Sequence, residues 1–402
     1  MMTSVAHVAS VVRTNVMRIG VPARTVTRAG SNINISGGTL DVQSGFIGQS
    51  WLKGANGRLY ELSHAPGDVL YTGLYQGYEA TSERWGHTDN YYSPLIGASK
   101  RYEPGYTVGR DAGKLVVATS NAVLEGAITG EVYQGDRQIS AAQPGLDGYY
   151  QSQYAVARRG QLIIGQYLPR YDEEANALRH TLSALLKRIE FAQVDLRIAT
   201  GLALDSDIEP ERQGALVLDT ELLNDMELGA LRVAARESIL VNDTLQVSPG
   251  GEIVLYGPQV DVSADLIARS GGIHVGNVLN QFGLLSGIFG FHDFSIAVPG
   301  DMQGGVWLRE GVMLDARGMQ GDLRDAQAQK TQQAYANGGT VGIRSTKSVT
   351  LEPNSIIDVS AGAVVLEDAL GRMSQLERGA QGAFRILDTG PVGLVDDQDV
   401  GD

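Results

Sequence analysis

Short runs of alternating apolar and polar residues recur along the second half of the chain. Three of them follow one another between Gly338 and Gly362, with apolar pairs at Val341 and Ile343, Val349 and Leu351, and Ile357 and Val359. Alternation at period two places both members of a pair on the same face of a strand. A coil of three such strands cannot bury that face alone, so it must stack on similar coils. The pattern predicts a parallel β-helix, which is a solenoid.

Glycine pairs mark further copies of this coil. Besides the pair at 338–339, pairs stand at 37–38, 250–251, 271–272 and 304–305, each followed by an alternating run. The distance from the second to the third of these pairs suits the circumference of one coil. We therefore predict an all-β fold in which stacked coils share one continuous apolar core.

Changes in composition and in the hydrophobic pattern divide the chain into five predicted segments. These are partial coils over 1–50, a tyrosine-rich region with loops and strands over 51–168, an amphipathic helix over 169–192, the main run of coils over 193–365, and an acidic tail or truncated end over 366–402. A polar, glutamine-rich insertion over 319–337 interrupts the coils, and we expect it to emerge as a loop.

The one short helix in this prediction depends on spacing. Five apolar residues recur at helical intervals, namely Leu178, Leu182, Leu185, Leu186 and Ile189. Acidic residues at 172–174 precede them and basic residues at 187–188 lie near their end, an arrangement that favours the helix dipole. We expect this helix to lie against the coils or to cap an open end.

The composition narrows the classes of function. The chain has 402 residues, a formal net charge of −14 and no dense run of Lys or Arg, so a nucleic acid or an anionic membrane surface would be repelled on average. The absence of cysteine excludes disulfides, thiolate metal sites and a cysteine nucleophile. No stretch approaches the ~20 apolar residues of a transmembrane helix, so membrane insertion is not expected. Residues 1–20 lack the charged start and unbroken apolar core of a signal peptide.

The sequence carries few candidates for chemistry. Its six histidines form no metal-binding spacing such as His-Glu-x-x-His, and only His87 with Asp89 suggests part of a site. Asp261, Asp315 and Asp358 occupy similar places in their coils and would form a row of carboxylates in a polysaccharide-active enzyme. Aspartate before a corner more often accepts backbone hydrogen bonds at that turn. We therefore predict no catalytic, cofactor-binding or metal-binding residue, and no cofactor.

Aromatic residues gather in one region of the chain. Eight of the sixteen tyrosines lie between Tyr60 and Tyr106, in the same region as Trp51 and Trp85. These rings would form either a carbohydrate-stacking surface or a packing layer that holds loops in place. Ring packing together with hydroxyl hydrogen bonds favours the packing layer.

Three stretches carry a resemblance to a known family. They are Tyr91–Gly97, Tyr102–Leu115, which contains the run Val108-Gly109-Arg110-Asp111-Ala112-Gly113, and Ala122–Gly126. Together with the coils between about 214 and 362, they resemble filamentous haemagglutinin-like exoproteins, the secreted partners of bacterial two-partner secretion systems. The resemblance covers a little under half of the chain. It implies a right-handed parallel β-helix that forms part of an adhesive surface fibre.

The expected function follows from that resemblance. It implies a non-enzymatic structural segment of a large secreted filamentous adhesin that mediates surface attachment in virulence. It also implies an outer-membrane transporter as export partner, a place outside the cell or on its surface, and a host-cell or surface receptor or carbohydrate of unknown identity. The family's N-terminal secretion domain and signal peptide are not visible in this sequence. Two alternatives stay open: the shaft of a contact-dependent toxin exoprotein, and a polysaccharide-active β-helix enzyme.

Overall fold

The chain folds into two units, of which the larger is built on a curled parallel sheet. The larger unit comprises Met1–Thr39 and Val108–Asp402, and the smaller comprises Leu40–Thr107. The computed structural model describes residues 16–19, 24–48, 50–62, 65–66, 69–75, 78–82, 84–91, 100–143, 151–172, 177–194, 198–202, 208–280, 293–323, 330–367 and 374–388. The fold is mostly β, with 47% strand and 5% helix, which confirms the all-β prediction.

Eight parallel strands form the main sheet, and their order in the sheet follows their order in the chain. From first to eighth they are Val16–Ile19, Lys114–Val117, Gln161–Ile164, Ala230–Val241, Glu252–Tyr256, Gly272–Gly276, Thr340–Ser345 and Ala383–Asp388. In-register pairing stacks one residue of each strand into a column. One buried column consists of Leu115, Leu162, Leu231, Ile253, Ile273 and Val341. Because side chains alternate between the faces of a strand, this inner face forms an apolar core and the outer face is left for other contacts.

Two further sets of parallel strands accompany the main sheet. The second sheet contains Leu186–Ala192, Ala215–Asp219, the later half of Ala230–Val241, Gln259–Val262, Gly305–Leu308 and Ser348–Leu351. The third sheet contains Leu245–Gln246, Leu266–Ile267, Met313–Asp315 and Ile356–Asp358. Between residues 230 and 358 the chain makes four passes, each through the main, second and third sheets in that order. The three short strands predicted between Gly338 and Gly362 are present in the last of these passes.

The N-terminal part of the larger unit contributes a similar pair of passes. Thr25–Thr27 pairs in parallel with Ala122–Leu124, and Asn32–Asn34 pairs in parallel with Ala127–Thr129. These pairs follow the first and second strands of the main sheet along the chain. The early coil and the segment from 114 to 129 are therefore adjacent layers of the same stack.

The glycine pairs have different places in the fold. Gly251, Gly271 and Gly339 lie at successive turns before main-sheet strands, where a Cβ on Gly271 would lie 1.9 Å from the Gly251 carbonyl oxygen. The pair at 304–305 instead precedes a strand of the second sheet, Gly305–Leu308. The pair at 37–38 precedes Thr39–Val42, which pairs with Tyr106–Gly109 and lies off the main sheet. The prediction that all five pairs open equivalent coils was therefore wrong for these two.

The predicted helix over 169–192 is also wrong, because this segment is β structure. Gln166–Asp172 and Ala177–Ser183 form an antiparallel hairpin, and Leu186–Ala192 is a strand of the second sheet. Of the apolar residues with helical spacing, Leu178 and Leu182 belong to the hairpin, Leu186 and Ile189 belong to the second-sheet strand, and Leu185 lies between the two. Leu182 packs on the outer face of the main sheet, whereas Ile189 packs in the inner core. The helices among the described residues are an α-helix at Thr220–Asp225 and 3₁₀ helices at Pro210–Arg212 and Lys330–Tyr335.

Two hairpins cover part of the outer face of the main sheet. One is the 166–183 hairpin, and the other pairs Val278–Asn280 with Asp293–Ser295. Tyr167, Leu182 and Leu279 from these hairpins pack on the outward-facing residues of the main sheet, which include Ile163 and Val254. The main sheet is thus buried on both faces here, while its outer face near the strand beginnings is not covered by this apolar cluster.

The later insertion and the C-terminal segment also form strands. Gln320–Asp322 pairs in parallel with Ala363–Glu367, which pairs antiparallel with Ser374–Arg378. Ala383–Asp388, in the segment predicted as an acidic tail or truncated end, is the eighth strand of the main sheet. Residues 389–402, which hold most of the predicted tail's aspartates, lie outside the described residues, as do residues 1–15 of the N-terminal stretch.

The smaller unit consists of short antiparallel pairings. Gly45–Gly48 pairs with Lys100–Glu103; Trp51–Gly54 pairs with Leu59–Glu61 and Tyr71–Leu74; and Tyr78–Ser82 pairs with His87–Tyr91. The structure places its boundary near residue 107, whereas the sequence predicted one region over 51–168. Of the Tyr91–Gly97 stretch, residues 92–97 lie outside the described residues. None of the helices described above has the length and apolar character needed to cross a membrane.

Candidate ligand groove on the main sheet

A groove of about 1050 Å³ lies over the outer face of the main sheet, near the beginnings of its strands. Its floor includes polar residues from the third, fourth, fifth and sixth strands, namely Gln161, Arg232, Glu252 and His274. Residues 132–136, 141–142 and 156–159 line one side of it, among them Tyr133, and the 3₁₀ helix 330–335 lines it with Tyr335. All of these residues belong to the larger unit.

The strand register brings these polar side chains together. Ala230 pairs with Gln161 on one side and with Glu252 on the other, and Arg232 stands two residues further along the same outer face. Arg232 Nε donates to Glu252 Oε2 over 2.6 Å, and Arg232 Nη1 donates to Gln161 Oε1 over 2.8 Å. Arg232 Nη2 lies 2.6 Å from the same Glu252 Oε2. The guanidinium therefore links three neighbouring strands.

The Arg232–Glu252 ion pair is almost completely buried. Arg232 is 4% exposed and Glu252 is 1% exposed. Burial alone lowers the pKa of Arg232, but the charges of Glu252 and Tyr167 and the Glu252 hydrogen bond more than offset this, so the pKa is raised. Arg232 therefore stays protonated, and its charge balances that of the carboxylate inside the protein.

Arg232 binds only one of the two carboxylate oxygens of Glu252. Glu252 Oε1 is buried and has no hydrogen-bond partner among the described residues. His274 Nε2 lies 3.8 Å from it, which is beyond hydrogen-bond distance, and the His274 side chain is 24% exposed. Burial lowers the pKa of His274 despite the charge of Glu252, and the charges of Arg232 and Arg344 lower it further. At neutral pH the imidazole is therefore uncharged.

Two glycines keep the surroundings of His274 open. A Cβ on Gly272 would lie 3.2 Å from His274 Nε2 and 3.6 Å from Glu252 Cγ. A Cβ on Gly342, in the next strand, would lie 3.0 Å from His274 Nδ1. A side chain at either position would crowd the imidazole, and one at Gly272 would occupy the space beside Glu252. The arrangement therefore combines a hydrogen-bond acceptor, a neutral imidazole and free volume at one point of the groove.

The three aspartates considered from the sequence do not form one row. Asp315 and Asp358 are paired in register in the third sheet, whereas Asp261 lies in the second sheet. Arg317 donates to Asp315 through Nε and Nη2, over 2.9 and 2.8 Å, and its Nε lies 3.6 Å from Asp358. Burial raises the pKa of Asp315, but the hydrogen bonds from Arg317 and the charge of Arg269 more than offset this, so the pKa is lowered. These carboxylates are partners of arginines.

Arg309 holds the remaining aspartate in a link across three layers of the second sheet. Its Nε donates to Asp261 Oδ1 over 2.8 Å, its Nη2 pairs with Asp261 Oδ2, and its Nη1 donates to Glu352 Oε1 over 2.8 Å. Asp261 precedes Arg309 in the stack and Glu352 follows it. The cluster therefore links the ends of three neighbouring strands of the second sheet. Among the described residues, no three His, Asp or Glu side chains gather as metal ligands do.

The other candidates from the sequence lie in the smaller unit. His87 begins the strand that also contains Asp89, and this strand pairs antiparallel with Tyr78–Ser82. Tyr60 and Tyr71 pack edge to face at 5.7 Å, and the Tyr71 hydroxyl donates to the Pro66 carbonyl oxygen over 2.6 Å. These two rings have the packing and hydrogen-bonding arrangement expected for a layer that holds loops.

Other aromatic side chains of the smaller unit face solvent. Trp85 is 76% exposed, with the Arg84 guanidinium 5.3 Å from its ring centroid. Phe46 and Tyr102 are 70% and 54% exposed and contact each other edge to face, with their ring centroids 5.5 Å apart. The packing-layer interpretation therefore describes Tyr60 and Tyr71, whereas Trp85, Phe46 and Tyr102 are largely exposed.

The most specific run of the family resemblance, Val108–Gly113, ends the strand Tyr106–Gly109 and continues into a loop. Gln138, which is 2% exposed, accepts hydrogen bonds from the backbone N–H groups of Gly109 and Gly135. Its side-chain amide donates to the carbonyl oxygens of Gly109 and Ala155, over 3.0 and 2.8 Å. The Asp111 carboxylate accepts from the Arg158 backbone N–H over 2.9 Å. The loop thereby anchors the segment that forms one wall of the groove.

Sequence reasoning missed the polar residues on the groove floor. Arg232 and His274 each stand between two core residues, in Leu231-Arg232-Val233 and Ile273-His274-Val275, which is the usual place of a solvent-facing residue. Only the register shows that both lie beside Glu252: Glu252 pairs with Gly272, one place away from the alignment that the glycine pairs suggest. A slip of one residue would turn each side chain to the opposite face.

Comparisons with known proteins identify no family for this chain. No family model, no curated protein and no solved structure matches the chain. The groove is therefore interpreted from its own geometry.

Proposed function

We propose that this chain is a right-handed parallel β-helical segment of a secreted bacterial filamentous adhesin, with a mechanical and non-enzymatic role in surface attachment. The observation that carries the proposal is the repeated passage of the chain through three parallel sheets with aligned apolar columns. Leu245, Leu266, Leu314 and Ile357 form one such column in the third sheet. Stacked coils of this kind lengthen a rod by roughly 4.8 Å each without widening its core.

The mechanism follows from the division between core and surface. Apolar columns and arginine links such as Arg309 with Asp261 make the stack rigid, while inserted segments form surfaces for recognition. The segments that carry specificity would be those inserted between coils, such as 319–337, and the aromatic region at 51–110. The full-length protein would be exported through an outer-membrane transporter and displayed on the cell surface.

The coil geometry is tested by an experimental structure of the chain. We expect main-sheet, second-sheet and third-sheet strands to follow one another in a continuous right-handed turn. A closed barrel, or a coil of the opposite hand, would contradict the β-helical part of the proposal.

The adhesive role is tested in the bacterium that carries the gene. Antibodies raised against the purified chain should label intact cells, and deletion of the gene should reduce attachment to host cells or coated surfaces. Complementation with the intact gene serves as the control. Antigen found only inside intact cells, or unchanged attachment after deletion, would overturn the adhesin proposal.

A further inference from the structure

We propose that the groove on the main sheet is a binding site for a neutral, hydroxyl-rich ligand, with the chemistry of an oligosaccharide. Glu252 and His274 would contact one hydroxyl group of that ligand. The proposal rests on the groove alone and holds whether or not the chain is part of a filament. Its residues lie on four neighbouring strands of one sheet, so the site is held by the main-chain pairing of the fold.

The two polar atoms at the floor suit a hydroxyl group. Glu252 Oε1 is a buried acceptor without a partner among the described residues, and His274 Nε2 lies 3.8 Å away. A hydroxyl oxygen between them, about 2.8 Å from each, can donate its proton to the carboxylate and accept one from an imidazole protonated on Nε2. An ether or a hydrocarbon group would leave the carboxylate oxygen unsatisfied, which is costly in a buried site.

The charges around this point favour a neutral ligand. Arg232 and Glu252 compensate each other, and the lowered pKa of His274 keeps the imidazole uncharged near pH 7. A cationic ligand would meet the field of Arg344, which also acts on His274. An anionic ligand would meet the unshared oxygen of Glu252. Sugars offer many hydroxyl groups without a charge.

Two tyrosines in the walls of the groove present aromatic rings to a ligand. Tyr133 is 49% exposed, and Tyr335 lies against Gly250, where a Cβ would be 2.8 Å from the tyrosine Cε1 atom. Burial raises the pKa of Tyr335 to about 12, so its hydroxyl remains protonated at physiological pH. Aromatic faces pack on apolar ligand faces while the tyrosine hydroxyl bonds at the edge. The volume of about 1050 Å³ exceeds the need of one sugar ring and suits a short oligosaccharide.

The test is a ligand titration followed at His274 itself. The chain is labelled with ¹³C and ¹⁵N in its histidines, and the His274 signals are assigned by their loss in a His274→Gln variant. The probes are maltotriose, cellotriose and chitotriose, with trigalacturonate and cadaverine as charged comparisons. We expect at least one neutral trisaccharide to shift the His274 signals saturably. We expect the charged probes to have little effect.

A glycine variant separates binding in the groove from binding elsewhere. In Gly272→Ala the new methyl group enters the space between His274 and Glu252, and we expect affinity to fall at least about tenfold. Gly38→Ala is the matched control, because its Cβ meets nothing within 4 Å. If Gly272→Ala fails to fold, His274→Gln, which keeps the Arg232–Glu252 pair, serves instead, with binding measured by calorimetry.

Several results would overturn the proposal. They are the absence of a His274 shift with every neutral trisaccharide, a shift produced only by a charged probe, and an affinity unchanged by Gly272→Ala. None of these results bears on the adhesin proposal, which is judged by surface labelling and attachment. Conversely, trisaccharide binding in this groove would stand even if the gene proved dispensable for attachment.

Discussion

Arg232 holds a single oxygen of Glu252 with both its Nε and Nη2 atoms, each 2.6 Å away, and leaves the second carboxylate oxygen at the groove floor. The pair is buried on the outer face of a sheet whose inner face is apolar. Withdrawing two charges from water costs free energy that their attraction only partly returns. A buried pair with an unsatisfied oxygen is therefore better explained by recognition than by stability.

Removing one partner of this pair should strongly destabilise the larger unit. Arg232→Met leaves the carboxylate of Glu252 buried without a counter-charge, and we expect the free energy of unfolding to fall by about 3–5 kcal/mol. The double variant Arg232→Met with Glu252→Leu should recover most of that loss, because no buried charge remains. Urea unfolding followed by circular dichroism measures both. Equal losses in the single and double variants would contradict this account.

His274 should make stability depend on pH in a defined direction. Its pKa is lowered in the folded protein by burial and by Arg232 and Arg344, despite Glu252, while the unfolded value is about 6.5. Between these two values the unfolded chain binds more protons, so the free energy of unfolding falls as the pH falls below about 6.5. The difference between wild type and His274→Gln isolates this contribution from the other histidines. A wild-type stability that rises relative to His274→Gln on acidification would show the opposite sign.

Arg309 should contribute to the cohesion of adjacent coils. It bonds Asp261 in the preceding layer and Glu352 in the following layer, but its side chain is 41% exposed, so water screens the interaction. We expect Arg309→Met to lower the free energy of unfolding by about 1 kcal/mol, and the deficit to shrink in 1 M NaCl. Arg212→Met, which removes an exposed pair with Glu209, is the control and should change stability less. A deficit independent of salt would point to packing instead of charge.

Gly109 should tolerate no side chain. A Cβ there would lie 1.5 Å from the carbonyl oxygen and 2.6 Å from the carbonyl carbon of Tyr133, and these backbone atoms cannot rotate away as a side chain can. We expect Gly109→Ala to cost about 3 kcal/mol and to expose the segment 132–158 to limited proteolysis. Gly38→Ala, with nothing within 4 Å of its Cβ, should leave both measurements unchanged. A Gly109→Ala protein as stable as wild type would mean that the loop is not needed to anchor that segment.

Much of the strand content could be predicted from the sequence, because period-two alternation in short runs reports which face of a strand is buried. The three strands between Gly338 and Gly362 are where this pattern places them. The pattern failed where apolar residues of two strands mimic a helix. Leu182 and Ile189 show helical spacing, but they lie in two successive strands and pack in two different apolar clusters.

The sequence by itself determined local features: the all-β class, the short strands and the turns at which small residues are required. The tertiary structure decided which turns are equivalent, since the strand after Gly304 joins the second sheet whereas the strands after Gly251, Gly271 and Gly339 join the main sheet. It also decided the groove, because Gln161 and Glu252 meet Arg232 only through pairing between distant strands. Alternation determines on which face of a strand a side chain lies, whereas register determines which residues of the neighbouring strands lie beside it. Register depends in turn on how every intervening turn closes.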